Sequence, residues 1–548
     1  MNHLVMGVYR WFIRMEDDTF MARAESVNVT FRSRLRRAPA LWRQGLVAFA
    51  ALCCCGPFAV QAQSGGALPL PSSSARVNAG QLPTLGDGSE LAAAAERRLG
   101  DRIAREIYRD PDYLDDPILL DYLDRIWQPL LAAARARSEI SPEIEQRFAW
   151  ELLLGRDRTI NAFALPGGYF GVHLGLIGVV SNRDELASVL AHEMSHVTQR
   201  HISRLISKQG EQTPWLIGAM ILGVLAAGKN PEAANAVLTG GQAVAMQNQL
   251  NFSRDMEREA DRVGFGVMAQ AGFAPQGFTS MFDKLLLASR LNDNGAFPYL
   301  RSHPLTTERI ADLQARQPPG PALALETTLE HMMVSARARV MANAGADALR
   351  QFLAEAADPA LAAAPPARKA GALYGSVLAS IRMRDFSGAR AQLARLEALT
   401  QSTPAAQRLT NLLNAELALA SGQPPPSLQA LGRPELLMSA QILMGQGRAA
   451  EASQSLMAWV ATHQRDSSAW QLLSAASSAQ GQMLRAIRAD AEARVAQMDY
   501  AGALERFKAG QTMVRNAGGA GVDHIEASII DTRARVVQSL FREQSLER

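Results

Sequence analysis

Apolar and polar positions follow three different registers along this chain. Between Glu185 and His201, Leu186, Val189, Leu190 and Val197 recur at helical spacing, which predicts an amphipathic helix. Just upstream, Asn161–His173 is an apolar run interrupted by Pro166-Gly167-Gly168, the pattern of a tight turn with a strand on either side. From 325 to 548 the chain is rich in Ala, Leu, Arg and Gln, with apolar residues at helical spacing and short turns between them. Trp215–Ala227 is apolar but spans only 13 residues, short for a membrane span; a buried helix and a mobile flap over a site are equally open.

Within the C-terminal region three segments look alike: Asp385–Leu393, Arg448–Leu456 and Asp499–Phe507. Each sets a small Ala four residues before a large apolar residue, as the second helix of a tetratricopeptide repeat does. Their separations of 63 and 51 residues are not multiples of 34, so the repeats are degenerate or interrupted near Pro424-Pro425-Pro426. An unrelated helical bundle is the alternative. In either case the expected product is an elongated helical surface for holding a partner. The breaker Gln317-Pro318-Pro319-Gly320-Pro321 marks the boundary in front of it. The expected domains are therefore an N-terminal extension and signal peptide over 1–62, a Gly/Ser/Pro-rich linker over 63–89, a mixed domain over 90–318 and a helical repeat domain over 325–548.

Composition narrows the function. A chain of 548 residues with 48% hydrophobic and 20% charged residues has ample material for more than one core. Its 56 Lys+Arg against 53 Asp+Glu leave no electrostatic footprint for nucleic acid. The three cysteines are consecutive, Cys53 to Cys55, so neither a disulfide framework nor a thiolate metal site is expected downstream. They lie in the charge-free stretch Gly45–Val60, behind Arg32, Arg34, Arg36, Arg37 and Arg43 and ahead of Val60-Gln61-Ala62. That order is the order of a secretory signal, cleaved after Ala62, and an uncleaved anchor is the competing reading. Glu16, Asp17 and Asp18 are foreign to a signal peptide, which makes Met21 a candidate start. A cysteine-free mature chain suits an oxidising compartment such as a bacterial periplasm.

The chemistry is concentrated in His192-Glu193-Met194-Ser195-His196. On a helix, residues i and i+4 share a face, so His192 and His196 reach one ion. Glu193 stands about 100° round, beside that ion, where a base takes a proton from a metal-activated water. His201, nine residues past His192, falls on the opposite side of a continued helix and reads as a solvated histidine. Two histidines leave a catalytic zinc one protein ligand short. Downstream, Glu257 and Asp261 are i and i+4 while Glu259 points away. If Asp261 orients a ligating histidine through its other nitrogen, Glu257 is the ligand. Otherwise these acids form a surface cluster with Arg254, Arg258 and Arg262; the upstream motif favours the ligand reading.

Together, His192-Glu193-x-x-His196, Glu257-x-x-x-Asp261, Asn161–Ala164 and Pro166-Gly167-Gly168 resemble the gluzincin family that includes HtpX, Oma and the CAAX prenyl protease. The likeness covers about Asn161–Ile310 and is closest to the exported branch that works on outer-membrane proteins. It implies an α+β zincin-like metallopeptidase domain, mostly helical with a small sheet, followed by an all-α tetratricopeptide-like solenoid. It further implies one Zn2+ on His192, His196 and Glu257, with catalysis by Glu193 and support from Asp261. Through Ser302-His303-Pro304, the resemblance implies that His303 is a switch or a transition-state donor; a loop histidine that caps a helix is the alternative. The implied substrates are unfolded or misassembled outer-membrane proteins, added as a further strand at the one after Pro166-Gly167-Gly168. The implied partner of the helical half is the outer-membrane assembly machinery. Peripheral membrane association is compatible with this picture, and nucleic acid is not a partner. A non-proteolytic chaperone or adaptor with a latent zinc site is the rival reading.

Overall fold

The computed structural model describes residues 92–208, 253–291, 298–317, 325–517 and 523–546. The signal-peptide and linker expectations, the Trp215–Ala227 segment and the Pro-Gly breaker at 318–321 lie outside these residues. The described parts all belong to one compact unit, Gly86–Arg548.

The N-terminal part runs α1 (Ala93–Arg109), β1 (Tyr113–Leu114), α2 (Pro117–Ala136), α3 (Pro142–Arg147), β2 (Glu151–Gly155), β3 (Ala162–Leu165), β4 (Tyr169–His173), α4 (Leu174–Val179), α5 (Arg183–Thr198) and α6 (His201–Lys208). It continues with α7 (Arg254–Gln270), α8 (Gln276–Leu291), α9 (Pro298–Ser302) and α10 (Thr307–Ala315). The sheet order is β1-β2-β4-β3, with β2 and β4 parallel and the outer pairs antiparallel. The expected hairpin is β3–β4. Its turn needs two left-handed residues, supplied by Gly167 (φ 72°) and Gly168 (φ 78°).

Asn182 caps α5 by accepting from the amides of Asp184 and Glu185 at 3.0 and 2.9 Å. The expectation of an amphipathic helix here is corrected, because every residue from Asp184 to Thr198 is buried. Leu186, Val189, Leu190 and Val197 form one apolar face, but Ala187, Ala191 and Met194 bury the others. A helix covered all round is a core helix. Packed against it, α7 comes so close that a Cβ on Gly264 would lie 3.1 Å from Ala191 C and O and from His192 N.

Beyond α10 come α11 (Leu329–Met341), α12 (Ala346–Ala357), α13 (Pro366–Arg382), α14 (Phe386–Thr400), α15 (Pro404–Ser421), α16 (Arg433–Gly445), α17 (Ala449–Thr462), α18 (Ser467–Ala479), α19 (Met483–Ala496), α20 (Tyr500–Asn516) and α21 (His524–Leu546). The protein is thus mostly helical with a small mixed sheet and a long helical C-terminal part. The look-alike segments open α14, α17 and α20, and their Ala389/Leu393, Ala452/Leu456 and Ala503/Phe507 pairs are all buried. They recur at every third helix, whereas an uninterrupted array of helix pairs would repeat them at every second.

One apolar core passes from α2 and α5 through α11, α13 and α14 to Leu417. Arginines from the later helices grip the earlier part. Buried Arg337 bridges Asp116 at 2.8 Å and Glu416 at 3.0 Å, Arg408 meets Asp121 at 2.7 Å, and Arg433 meets Asp115 at 2.7 Å. No helix among the described residues is long and apolar enough to cross a membrane.

Candidate metal centre and active site

Three elements converge on one buried point. α5 brings His192, Glu193 and His196; α7 brings Glu257 and Asp261; the turn between α9 and α10 brings His303. One nitrogen or carboxylate oxygen from each of His192, His196, Glu257 and His303 lies within 4.8 Å of all the others. His192 Nε2 is 3.0 Å from His196 Nε2 and 3.5 Å from Glu257 Oε2, and His196 Nε2 is 3.4 Å from Glu257 Oε1. His303 Nδ1 is 3.3 Å from His192 Nε2 and 2.9 Å from Glu257 Oε1. His303 also stacks on Tyr299, with ring centroids 4.7 Å apart.

These distances test the fit of a zinc ion. A tetrahedron with arms of the usual zinc–nitrogen and zinc–oxygen length has edges of about 3.3–3.4 Å, and the separations above scatter round that value. Charge agrees. Glu193, Glu257 and Asp261 are all about 1% exposed, with Arg309 as the buried guanidinium among them. Burial alone would lower the basicity of His192, yet hydrogen bonds and charges from Asp261 and Glu257 hold it above the usual histidine range. Burial would likewise raise Glu257, but the His303 and His192 charges keep it well below the carboxylate range. For His196 burial prevails and the ring stays neutral. A buried acidic cluster that raises the proton affinity of His192 beside a neutral His196 accommodates a divalent cation in place of a proton.

Asp261 lies behind the His192 ring. Its Oδ1 is 2.9 Å from His192 Nδ1. An ionised carboxylate only accepts, so the His192 nitrogen beside Asp261 carries a proton and Nε2 is the nitrogen left to face the centre. Glu193 is held from the sheet: its Oε2 accepts from the Ala164 amide at 2.9 Å, while its buried Oε1 makes no hydrogen bond and lies 3.5 Å from His303 Nε2. Burial raises its pKa, as suits a proton carrier.

Three readings need correction. The surface-cluster reading of the α7 acids fails, because Glu257 and Asp261 are buried. Their cation is not an interleaved arginine but Arg309 of α10, bidentate to Asp261 at 2.6 and 2.8 Å and 2.7 Å from Glu257. His201 is not solvated. The helix breaks at Arg200 (φ 54°), anchored to buried Glu96 at 2.9 Å, and His201 folds back with Nδ1 2.9 Å from His196 Nδ1. Finally, the strand after Pro166-Gly167-Gly168 is no rim: β4 lies between β2 and β3, and the edge strand beside the site is β3. Arg309 was missed because six residues past His303 nothing local marks a partner in α7. The Ala164 amide was missed because backbone donors carry no sequence signal.

Residues 122–317 match the model for peptidase family M48. The chain is 30% identical over 321 residues to the beta-barrel assembly-enhancing protease of Escherichia coli strain K12, and 35% identical over 325 residues to its Vibrio cholerae serotype O1 counterpart. Each alignment takes in 58% of this chain and 63% of the relative, so the chain spans less than two thirds of their length. It is also 29% identical over 196 residues to the mitochondrial metalloendopeptidase OMA1 of Saccharomyces cerevisiae, which is 35% of this chain and 54% of that one.

Proposed function

We propose that the chain is an exported zinc-dependent endopeptidase for misfolded or stalled outer-membrane proteins, with residues 122–317, which match the model for peptidase family M48, as its metallopeptidase domain. The observation that carries this reading is the buried convergence of His192, His196 and Glu257 beside a Glu193 oxygen without a hydrogen bond. Zinc held by His192, His196 and Glu257 would supply the Lewis acidity that makes a water acidic near neutral pH and polarises a carbonyl. Glu193 takes the proton of the attacking water on Oε1 and hands it to the leaving amine. Asp261 keeps the His192 ring aimed, and Arg309 keeps Asp261 ionised and in place.

An extended substrate adds along the outer edge of β3, antiparallel or parallel to it, through main-chain pairing. Such pairing tolerates many sequences, so unfoldedness selects the substrate. His303 would complete the set of residues that hold the metal at rest and would give way when a substrate enters; its distances to His192 and Glu257 support this. The helical part after residue 325, a tetratricopeptide-like solenoid in this reading, holds the assembly machinery or the client. Localisation follows from export to the periplasm with cleavage after Ala62. The names of the bacterial relatives, beta-barrel assembly-enhancing proteases, support a link to β-barrel assembly.

The second reading, an adaptor with a latent zinc site, draws on the same His303 contacts, since a closed centre need not open. Purified Gln63–Arg548 and its Glu193→Gln variant separate the two. One zinc in each, with chelator-sensitive cleavage of an unfolded protein by the wild type alone, is the expected outcome. Zinc without cleavage in the wild type would favour the adaptor, and no zinc in either would refute the metal centre.

A further inference from the structure

His201 serves neither the metal set nor the proton transfer described above, yet it is fully buried and lies against a metal-binding candidate. Its two ring nitrogens have different partners. Nδ1 is 2.9 Å from His196 Nδ1, and Nε2 is 3.0 Å from Glu259 Oε2. Glu259 in turn accepts from Arg204 at 2.6 Å. The direction of this chain is set from its outer end. A carboxylate only accepts, so His201 must place its N–H on Nε2, facing Glu259. The Nδ1 of a neutral His201 is then a lone pair and can only accept from His196 Nδ1–H. That leaves the proton of His196 on Nδ1 and its Nε2 lone pair facing His192, Glu257 and the centre.

We propose that His201 is a positioning residue: with Glu259 behind it, it fixes the tautomer and ring plane of His196 for metal binding, as Asp261 does for His192. The two ligating rings are thus aimed by different chains, one ending on a buried carboxylate and the other on a half-exposed one beside Arg204. The left-handed Arg200 is what makes the second chain possible, since a continuous helix would carry His201 to the far side. This inference rests on the zinc reading above.

The test is a zinc affinity measurement by competition with a chromophoric chelator on the full chain, with the absorption spectrum of the cobalt-loaded protein as a second readout. His201→Leu removes the acceptor while keeping bulk, and should weaken zinc about 10- to 100-fold. His201→Asn puts an oxygen where Nδ1 stands and should recover most of that loss, with cobalt bands returning toward wild type. Glu259→Ala, at a half-exposed position that folding tolerates, should weaken zinc less and shift the cobalt bands in the direction His201→Leu does. Wild-type affinity in His201→Leu would overturn the proposal, as would an Asn variant no better than Leu. If His201→Leu does not fold, unchanged zinc affinity in Glu259→Ala would overturn it. A wild type that binds no zinc is a different failure, that of the metal centre itself.

Discussion

Gly264→Ala probes whether the spacing of two helices sets the metal site. The added Cβ would lie 3.1 Å from Ala191 C and O and from His192 N. Carbon contacts are relaxed at about 3.5–4.0 Å, so α7 and α5 must part by a few tenths of an ångström. The facing atoms are backbone of a buried helix and cannot rotate aside. Two effects on stability oppose each other. Alanine in a helix is favoured over glycine by about 1 kcal/mol, whereas overpacking costs about 1–3 kcal/mol. The apo protein should therefore lose about 0–2 kcal/mol on these terms. Metal binding has no such offset, because Glu257 and Asp261 move with α7 while His192 and His196 stay with α5. Ligand distances tolerate about 0.2 Å, which is similar to the displacement. Zinc affinity should fall about 10- to 100-fold, the range seen when ligand-supporting groups are disturbed. Chelator competition and denaturant melts of the apo protein measure the two quantities separately. A variant about 1 kcal/mol more stable, as propensity alone would give, and with wild-type zinc affinity, would refute the reasoning.

Three further outcomes are expected. Arg309→Met leaves Asp261 and Glu257 buried without their cation and should destabilise the apo protein by about 3–5 kcal/mol; saturating zinc should shrink that loss, and a loss that zinc leaves untouched would contradict the charge argument. Burial lowers the pKa of His331, which bonds Tyr122 Oη at 2.7 Å and Val180 O at 3.0 Å. Its unfolded form therefore takes up a proton first, so stability is lost as pH falls below about 6.5; denaturant melts between about pH 7 and pH 5 should show a shallower loss in His331→Gln than in wild type. His303→Ala should raise the basal cleavage rate of an unfolded protein if His303 closes the site at rest, and an unchanged or lower rate would refute that role.

Much of the centre was legible because it is written within single helices. The i, i+4 relation of His192 to His196 and of Glu257 to Asp261 follows from the 3.6-residue period alone, whatever surrounds the helix. The same holds for the buried Ala/large-apolar pairs of α14, α17 and α20, and the Pro166-Gly167-Gly168 turn was visible because few residues accept a positive φ. What tertiary structure decided is of another kind. That Arg309 rather than Arg258 meets Asp261, that β3 rather than β4 is the free edge, and that α5 is buried on all sides depend on which elements become neighbours. Those choices are made by the packing of a core shared by residues hundreds of positions apart, and no local spacing encodes them. His201 shows the boundary most clearly: the helical period puts it on the far side of a helix that continues, but the buried carboxylate of Glu96 holds Arg200 where the helix stops.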